Sequence, residues 1–476
     1  MPTTIAVRNP RTGTDDYTIT AADGEQIRAI AQRLRGAQRH WLELGVEGRI
    51  ARLDAFKQVV IANRDELQEA LETDTGRRWV SALEVDTVVS SIDRSTQYVR
   101  AVLGDETPTA VPGGVHVRAA GLPYPLVGVI SPWNFPLQLA LIDAVPALLA
   151  GCAVLIKPSE ITPRFIPVLR RCLAAVPDLA AVVEVVEGAG ETGQHVISAA
   201  DVVCFTGSVR TGQAVARAAA ERFVPAFLEL GGKDPAIVTA SADLDVASSA
   251  ILWGSTINSG HSCMSIERVY VAAEVYERFV ALLVEKAERV RLAHPTPADG
   301  EVGPIIAGAQ VGIIGEHLAD AVGKGATVRT GGTVQTLDGG AYLRPTVLTG
   351  VDHTMRVMVE ETFGPIIPVM AFGTADEAVA LANDTEFGLS AAVFAGDAGE
   401  AAFIAERIEA GGISINDVCL TGFFQVGEKN AFKLSGMGPS RMGPSSVRRF
   451  LRQRTLLFRD EARVQPWYYD GADDDA

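Results

Sequence analysis

The chain has 476 residues, of which 47% are hydrophobic and 21% charged, a composition typical of a globular enzyme with more than one domain. Its formal net charge of −16 argues against a nucleic-acid-binding protein, because binding to phosphate backbones requires a basic face. Part of this acidity is local, and the last residues, 470–476 (DGADDDA), are predicted to form a solvated tail.

The five cysteines lie singly along the chain. An odd number without paired spacing is more typical of a reducing compartment than of a disulfide framework. The sequence has no CxxC and no HExxH motif, so no metal site is predicted. The N-terminus lacks the charged start and apolar run of a signal peptide. We therefore expect a cytoplasmic protein.

Apolar residues three and four positions apart predict helices over most of the stretch from Asp23 to Val102. Around Gly104–Pro125 this pattern gives way to an extended stretch in which Val115 and Val117 alternate as in a strand. The apolar segment Pro125–Ile156 carries a single charge, but internal prolines interrupt it. It is predicted to form buried strand, loop and helix, and not a membrane span.

Short apolar runs then alternate with helices as far as about residue 230. The runs are LVGVIS (126–131), AVLIKPS (153–159), VVEVVEG (182–188), DVVCFTG (201–207) and PAFLELGG (225–232). A second alternating set spans about 235–416. This alternation predicts an α/β fold with two doubly wound parallel-sheet domains. A small third element would combine the 104–125 stretch with a C-terminal strand near Thr455–Phe458.

Polar residues follow two of these runs at the strand ends where open α/β sheets bind ligands. Gly207 permits close approach of a ligand, and Ser208 is placed to cap a helix whose first amides could bind an anion. Lys157 and Glu160 could hold ribose hydroxyls as donor and acceptor. The alternatives are an ordinary capped helix and a surface ion pair.

Two further polar residues lie within apolar runs. Asn134, in PWNFP, is an amide fixed between two prolines, either as a structural turn amide or as an oxyanion donor. Glu229, in ELGGK, would have a raised pKa that suits a general base, or it could form a buried pair with Lys233.

Cys263 lies in a polar, glycine-bearing loop, NSGHSCMS, which is the setting of a reactive thiolate. The apolar flanks of Cys152 and Cys204 fit an inert, buried thiol better. His261 could activate the Cys263 thiol, as in cysteine hydrolases, but residues two apart in a turn rarely face each other.

In combination these segments resemble the aldehyde dehydrogenase superfamily, in its order and at compatible spacing. The matching segments are PWNFP, KPSE, FTGS, ELGGK, the glycine–cysteine turn, EETFGPI (360–366), EFGLSAAVF (386–394), GGISIN (411–416) and KLSGMG (433–438). The resemblance covers nearly the whole chain. It implies a Rossmann-like NAD-binding domain (1–104 and 124–231), a catalytic domain (232–432) and a β oligomerisation element (105–123 and 433–476).

The resemblance implies that Cys263 is the nucleophile, which forms a thiohemiacetal and then a thioester. The Asn134 side chain and the Cys263 amide would form the oxyanion hole, and Glu229 would activate the hydrolytic water. The implied cofactor-binding residues are Ser131, Pro132, Trp133, Lys157, Ser159, Glu160, Gly207, Ser208, Gly231, Glu361 and Phe363. The implied substrate tunnel comprises Phe135, Leu139, Ile142, Phe423 and Phe424.

Within this set, Lys157 and Glu160 would hold the adenine ribose and Ser208 the pyrophosphate. Glu361 and Phe363 would hold the nicotinamide half. NAD is the expected cofactor and NADP a possible one, because the 2′-phosphate of NADP would meet the Glu160 carboxylate. The implied partners are a small-molecule aldehyde and a second copy of the chain, as a homodimer or homotetramer, with neither nucleic acid nor membrane.

The sequence departs from the family pattern in two places. His261 stands where the family usually has Gln, and Glu428, Lys429 and Asn430 stand in the usual PFGG-like run. That run lies towards the substrate entrance and the subunit contact in relatives, so substrate range and assembly are the least transferable inferences. The tunnel residues weakly favour an apolar or aromatic aldehyde.

Three alternatives to a hydrolytic aldehyde dehydrogenase stay open at this point. In a CoA-acylating semialdehyde dehydrogenase, CoA takes the acyl group, but such relatives generally lack the Glu229 base. A catalytically silent NAD-binding protein is disfavoured because Cys263, Asn134 and Glu229 are all present. A cysteine hydrolase that uses His261 would have no residue to orient the imidazole.

Overall fold

The computed structural model describes residues 3–103, 108–112, 114–459 and 468, so the acidic tail predicted over 470–476 lies outside the described residues. In chain order the strands are β1 (Thr4–Arg8), β2 (Asp15–Thr20), β3 (Thr109–Val111), β4 (Val115–Pro123), β5 (Leu126–Ile130), β6 (Ala153–Lys157), β7 (Val183–Val185), β8 (Val202–Thr206), β9 (Ala226–Glu229), β10 (Asp234–Val238), β11 (Ile266–Ala272), β12 (Thr327–Thr330), β13 (Gln335–Leu337), β14 (Gly340–Tyr342), β15 (Thr346–Thr349), β16 (Ile366–Phe372), β17 (Phe387–Gly388), β18 (Ser390–Phe394), β19 (Gly412–Ile415), β20 (Phe432–Lys433), β21 (Gly436–Met437) and β22 (Leu451–Phe458).

The helices follow the same order. They are α1 (Gly24–Glu43), α2 (Gly45–Ala62), α3 (Arg64–Thr75), α4 (Arg78–Leu103), α5 (Pro136–Leu141), α6 (Ala144–Ala150), α7 (Ile166–Ala174), α8 (Pro177–Val182), α9 (Gly190–Ala199), α10 (Val209–Glu221), α11 (Leu244–Thr256), α12 (Tyr276–Arg289), α13 (Gly308–Gly323), α14 (Arg356–Val359), α15 (Ala375–Asn383), α16 (Ala398–Ala405), α17 (Leu420–Phe423) and α18 (Ser445–Arg448).

The helices predicted over residues 23–102 are α1 to α4. The first begins with a capping box, in which Asp23 Oδ1 accepts hydrogen bonds from the Glu25 and Gln26 amides and the Gln26 side chain accepts one from the Asp23 amide. Helix α3 ends at Gly76, whose φ of 66° is in the left-handed region. These helices pack with the first sheet in one apolar core.

The first large sheet has six strands in the order β21-β9-β8-β5-β6-β7. Its ladders are parallel except where β21 pairs with β9. Every residue of β5, β6 and β8 is buried, as expected for parallel strands covered by helices on both faces. The apolar runs from 126 to 232 thus supply the predicted strands, and helices α5 and α6 fill the apolar segment between β5 and β6.

The second large sheet has seven strands in the order β12-β15-β16-β11-β10-β18-β19 and its own apolar core. Its ladders are parallel except for the edge pair of β12 and β15. The prediction of two parallel-sheet α/β units is confirmed. A separate three-stranded sheet, β22-β4-β3, joins the 108–123 region to the C-terminal strand, as the sequence predicts.

Among the residues that the structure describes, no helix is both long and apolar enough to cross a membrane. The same described ranges hold no group of three or more His, Cys, Asp and Glu side chains arranged to bind a metal ion.

Candidate active site

The carboxyl ends of the strands in the first sheet face the loop that carries Cys263. They enclose a cavity of about 210 Å³. It is lined by Pro132, Trp133, Asn134, Leu139, Thr206, Gly207, Ser208, Leu230, Gly231, Cys263, Gln310, Ile313, Glu361 and Phe363. The fold therefore brings two predicted catalytic residues, seven predicted cofactor residues and one predicted tunnel residue together in one pocket.

A strained turn places Cys263 at this pocket. Helix α11 ends at Thr256 and a 3₁₀ turn follows, in which Asn258 and Ser259 have φ of 55° and 57°. At Gly260, with φ 75°, a Cβ would lie 2.3 Å from the carbonyl carbon of Gly364, so only glycine fits. Left-handed non-glycine residues are uncommon and cluster at functional sites.

The Asn134 amide is tied to the same turn. Asn134 is buried, and its Nδ2 donates to the main-chain oxygen of His261 at 3.0 Å. The Asn258 Nδ2 donates to that oxygen and to the Asn134 main-chain oxygen, each at 2.8 Å. An amide carries two N–H groups, so the second N–H of Asn134 is available to a ligand.

A buried ion pair, which we name the Asn134 clamp, holds the PWNFP turn. The Arg77 Nη2 lies 2.7 Å from the Glu84 Oε1 and donates to the Asn134 main-chain oxygen at 2.8 Å. The Glu84 Oε2 accepts from the amides of Leu137 and Gln138, both at 3.1 Å. Burial raises the pKa of Glu84 to about 7 and lowers that of Arg77 to about 10.

A second buried pair, the Phe363 clamp, holds the segment of the cavity wall that carries Phe363. The Lys233 Nζ lies 2.6 Å from the Glu267 Oε2, and the two Glu267 oxygens accept from the amides of Thr362 and Phe363, both at 2.8 Å. Burial lowers the pKa of Lys233. Lys233 therefore pairs with Glu267 on β11, and the sequence-based alternative of a Lys233–Glu229 pair is wrong.

The Cys263 thiol is half-buried and protonated at neutral pH. Burial raises its pKa to about 12, and the nearby carboxyl groups of Asp234, Glu361 and Glu229 act in the same direction. Lys429 opposes them. Attack by this sulfur therefore requires a proton acceptor.

Glu229 ends β9 opposite Gly436 of β21. Its charge acts on the Cys263 thiol, which puts it within electrostatic reach of the sulfur, although it is not among the side chains that line the cavity. Asp143 and then Glu229 raise the pKa of the buried Arg441. Arg441 itself bonds both Asp143 and Thr206.

Among the described residues the His261 ring makes no hydrogen bond to the Cys263 thiol. It is fully buried, with its centroid 5.3 Å from the Trp133 ring and 6.1 Å from the Phe363 ring. Burial lowers its pKa to about 3, and among the described residues neither ring nitrogen has a hydrogen-bond partner. A neutral ring packed between two aromatic side chains cannot act as the base of a cysteine hydrolase.

Glu361 closes the cavity beside Gly231. A Cβ on Gly231 would lie 2.6 Å from both carboxyl oxygens of Glu361, so glycine is needed for this approach. The Gly232 amide donates to the Glu361 Oε1 at 3.0 Å. Burial, followed by the charge of Glu267, raises the pKa of Glu361 to about 8.

Of the predicted cofactor residues, Ser131, Lys157, Ser159 and Glu160 lie outside the cavity lining, whereas Ser208 is part of it. The buried Lys157 forms an ion pair of 3.1 Å with Glu160, which was the alternative to ribose binding in the sequence analysis. The Ser159 Oγ accepts a hydrogen bond from the Ile161 amide. Ser208 Oγ accepts from the Thr211 amide at 3.4 Å and so caps α10. The Ser131 hydroxyl is buried without a partner in the described chain.

The predicted tunnel residues are only partly brought together. Leu139 shares the cavity with Cys263, whereas Ile142 lines two small cavities beside Arg94 and Gln425. Phe135 lies under the Arg77 guanidinium, 5.0 Å from its ring centre. Phe423 packs on Trp253 with a centroid distance of 5.9 Å, and Phe424 is 66% exposed.

Sequence reasoning missed both clamps. Arg77 and Glu84 stand seven residues apart in a helical stretch, the spacing of two turns on one face, and that was the available signal for their pairing. Glu267 gave a weaker signal, because it and its neighbour Arg268 are the charged residues of an otherwise apolar strand. Nothing in the sequence linked it to Lys233.

The chain belongs to the aldehyde dehydrogenase family, whose model matches residues 1–456. "Putative succinate-semialdehyde dehydrogenase (NADP+)" of Mycolicibacterium smegmatis is 35% identical over 94% of this chain and 87% of its own length. "Putative Aldehyde Dehydrogenase PutA" of Anabaena variabilis is 53% identical, with a TM-score of 0.96 over 98% of this chain and 100% of that one. Betaine aldehyde dehydrogenase of Staphylococcus aureus, solved with NAD+, is 28% identical, with a TM-score of 0.91 over 98% and 94%.

This protein is therefore an oxidoreductase of the NAD(P)-dependent type that acts on aldehydes. The family resemblance inferred from the ordered sequence motifs is confirmed.

Proposed function

We propose that this enzyme oxidises an aldehyde to a carboxylic acid by a hydrolytic, thioester-forming route on Cys263. The observation that carries the proposal is the single cavity in which the Cys263 loop, the Asn134 amide and Glu361 meet. The domain division stated from the sequence stays part of the proposal, with the six-stranded unit as the cofactor domain and the seven-stranded unit as the catalytic one.

In the first step the Cys263 sulfur adds to the aldehyde carbon and gives a thiohemiacetal. The thiol must first transfer its proton to water, because burial keeps its pKa near 12. The free N–H of Asn134, together with the Cys263 main-chain amide, would bind the oxygen that becomes negative. Preorganised donors of this kind stabilise the transition state because they need no reorganisation.

The residues at the strand ends fit a nicotinamide cofactor. The orphaned Ser131 hydroxyl offers a polar group to a ligand, and Gly207 and Gly231 line the cavity. A nicotinamide held there would supply the hydride acceptor for oxidation of the thiohemiacetal to a thioester on Cys263. Phe363 and Glu361 would hold that half of the cofactor, with Lys157, Ser159 and Glu160 at the ribose and Ser208 at the pyrophosphate.

Water then cleaves the thioester. Glu229 is the proposed base, since its charge already acts on the Cys263 sulfur. We propose NAD as the preferred cofactor and a homodimer or homotetramer as the assembly, with the β22-β4-β3 sheet at the contact.

The test is the Glu229→Gln variant. It should release a burst of about one equivalent of NADH per site and then turn over roughly 10²–10⁴-fold more slowly, the usual loss for a general base. Stopped-flow absorbance measures both phases, and Cys263→Ala is the control that should give no burst while retaining cofactor binding. A missing burst together with CoA-dependent turnover in the wild type would establish the acylating reaction instead.

A further inference from the structure

The segment 428–430 departs from the family pattern. It places the Lys429 side chain over the first residue of strand β19. A Cβ on Gly412, the first residue of that strand, would lie 3.0 Å from the Lys429 Cδ and 2.8 Å from the Thr421 Cγ2. The lysine stem and the threonine therefore lie side by side across Gly412.

Thr421 connects this position to the nucleophile, because it contacts the residue that follows Cys263. The Thr421 hydroxyl approaches the Met264 Sδ at 3.6 Å, and a Cβ on Gly422 would lie 2.7 Å from the Met264 Cε. Met264 directly follows Cys263. On the other side, Gly412 stands opposite Ser390, whose amide donates to the buried Asp234 at 3.2 Å.

The Lys429 ammonium lacks an acceptor there. Its main-chain amide donates to the Ser440 Oγ at 3.0 Å, but the described residues offer the ammonium neither a hydrogen bond nor a carboxylate within 4.0 Å. Lys433, four residues on, differs, because its ammonium lies 2.7 Å from Glu409 and also donates to two main-chain oxygens. The Lys429 ammonium is not among the buried polar atoms without a partner, so it is open to solvent and accessible to a ligand's carboxylate.

The effect of the Lys429 charge on neighbouring groups also places this lysine near the nucleophile. Lys429 lowers the pKa of both the Cys263 thiol and the Asp234 carboxyl, whereas the carboxyl groups of Glu361 and Glu229 raise the pKa of that thiol. Without this cation an anionic substrate would meet several acidic groups around the sulfur. The cavity beside the predicted cofactor residues is lined by other side chains, so the cofactor phosphates are a poor match for the ammonium.

We propose that Lys429 binds a carboxylate on the substrate, so that the preferred aldehydes carry a negative charge a short chain away from the carbonyl carbon. The inference rests on the proposed function, because it takes Cys263 as the reacting atom. A carboxylate would form a charge-assisted hydrogen bond with the ammonium, and a cationic aldehyde would be repelled by it. The apolar Leu139, which lines the cavity with Cys263, would then pack along the chain that joins the two ends.

Three probes of different charge test this proposal: 4-oxobutanoate, its methyl ester and betaine aldehyde. Wild type should favour the anion over the ester and use the cation least. Lys429→Met should lower kcat/KM for the anion by roughly 10- to 100-fold, mainly through KM, with little change for the ester. Lys433→Met is the matched control, and its anion-to-ester ratio should equal that of the wild type.

Equal kcat/KM for acid and ester in the wild type would overturn the proposal, and that comparison needs no variant to fold. An equal loss on both substrates in Lys429→Met would also overturn it and would assign the lysine to the thiol or to the fold. The proposed function fails separately, if no aldehyde reduces the cofactor. If the ester is turned over and the anion is not preferred, only the proposed Lys429 subsite is ruled out.

Discussion

The two clamps hold two segments of the site wall by the same chemistry, but the backbone that each one fixes is different. In each, a fully buried cation pairs with a glutamate whose carboxylate accepts two consecutive main-chain amides. In the Asn134 clamp these amides begin helix α5. In the Phe363 clamp they belong to an irregular loop in which Phe363 has φ 53°. The first stabilises a helix start and the second a strained turn.

The cations also differ. Arg77 donates directly to the main-chain oxygen of Asn134, the proposed oxyanion donor, whereas Lys233 reaches the Thr362 hydroxyl at 3.2 Å. Each cation holds two acceptors through one nitrogen, but only the arginine bonds the backbone of a residue proposed to act in the chemical step. We therefore expect the Asn134 clamp to govern the chemical step and the Phe363 clamp to govern cofactor binding.

The largest effect tests the group that the first clamp positions. Asn134→Ala should lower kcat by roughly 10²–10³-fold, the cost of one oxyanion donor, with cofactor affinity unchanged. Steady-state kinetics and NAD titration measure the two quantities. An unchanged kcat would show that Asn134 only joins the two turns.

The next test breaks the first clamp itself. Glu84→Gln should lower kcat by roughly tenfold or more through misplacement of Asn134. Because burial raises the pKa of Glu84 to about 7, the carboxyl is neutral below that pH and ionised above it. The rate difference between wild type and variant should therefore shrink as the pH falls below about 7.

Glu84→Gln leaves the Arg77 charge buried and unpaired, which costs about 3–5 kcal/mol of stability. The control is the double variant Arg77→Met/Glu84→Gln, which removes both charges. A kcat that recovers in the double variant would mean that the single variant was only unstable and that Asn134 needs no clamp.

The sequence predicted the sheets and most of the pocket because those signals are local. An apolar run bounded by glycine or proline indicates a buried strand, and polar residues at its end must share an edge with those of the neighbouring strands. The pairing of Lys233 with Glu267, and the packing of the His261 ring against Trp133 and Phe363, depend on which strands become neighbours. Burial of the Cys263 thiol, which raises its pKa, likewise follows from packing across the two sheets.

A smaller effect is expected at the second clamp. Glu267→Gln should raise the KM for the cofactor by roughly tenfold and change kcat less, since it loosens Phe363 and leaves Asn134 in place. The Lys233→Met/Glu267→Gln variant is the charge-matched control. If kcat falls as much as in Glu84→Gln, the division of labour between the clamps is wrong.

The smallest expected effect is on the preference for NAD over NADP, which neither clamp should change. Glu160 would oppose the 2′-phosphate of NADP, but it already pairs with Lys157 at 3.1 Å, and its side chain is 32% exposed. Water and the lysine therefore screen the repulsion, and an exposed charge pair is worth at most about 1 kcal/mol. We expect wild type to favour NAD, and Glu160→Thr to lower the NAD-to-NADP ratio of kcat/KM by about two- to fivefold. If wild type favours NADP, or if Glu160→Thr does not move the ratio, the ribose does not lie at Glu160 and the Lys157–Glu160 pair is only an ion pair at the end of β6.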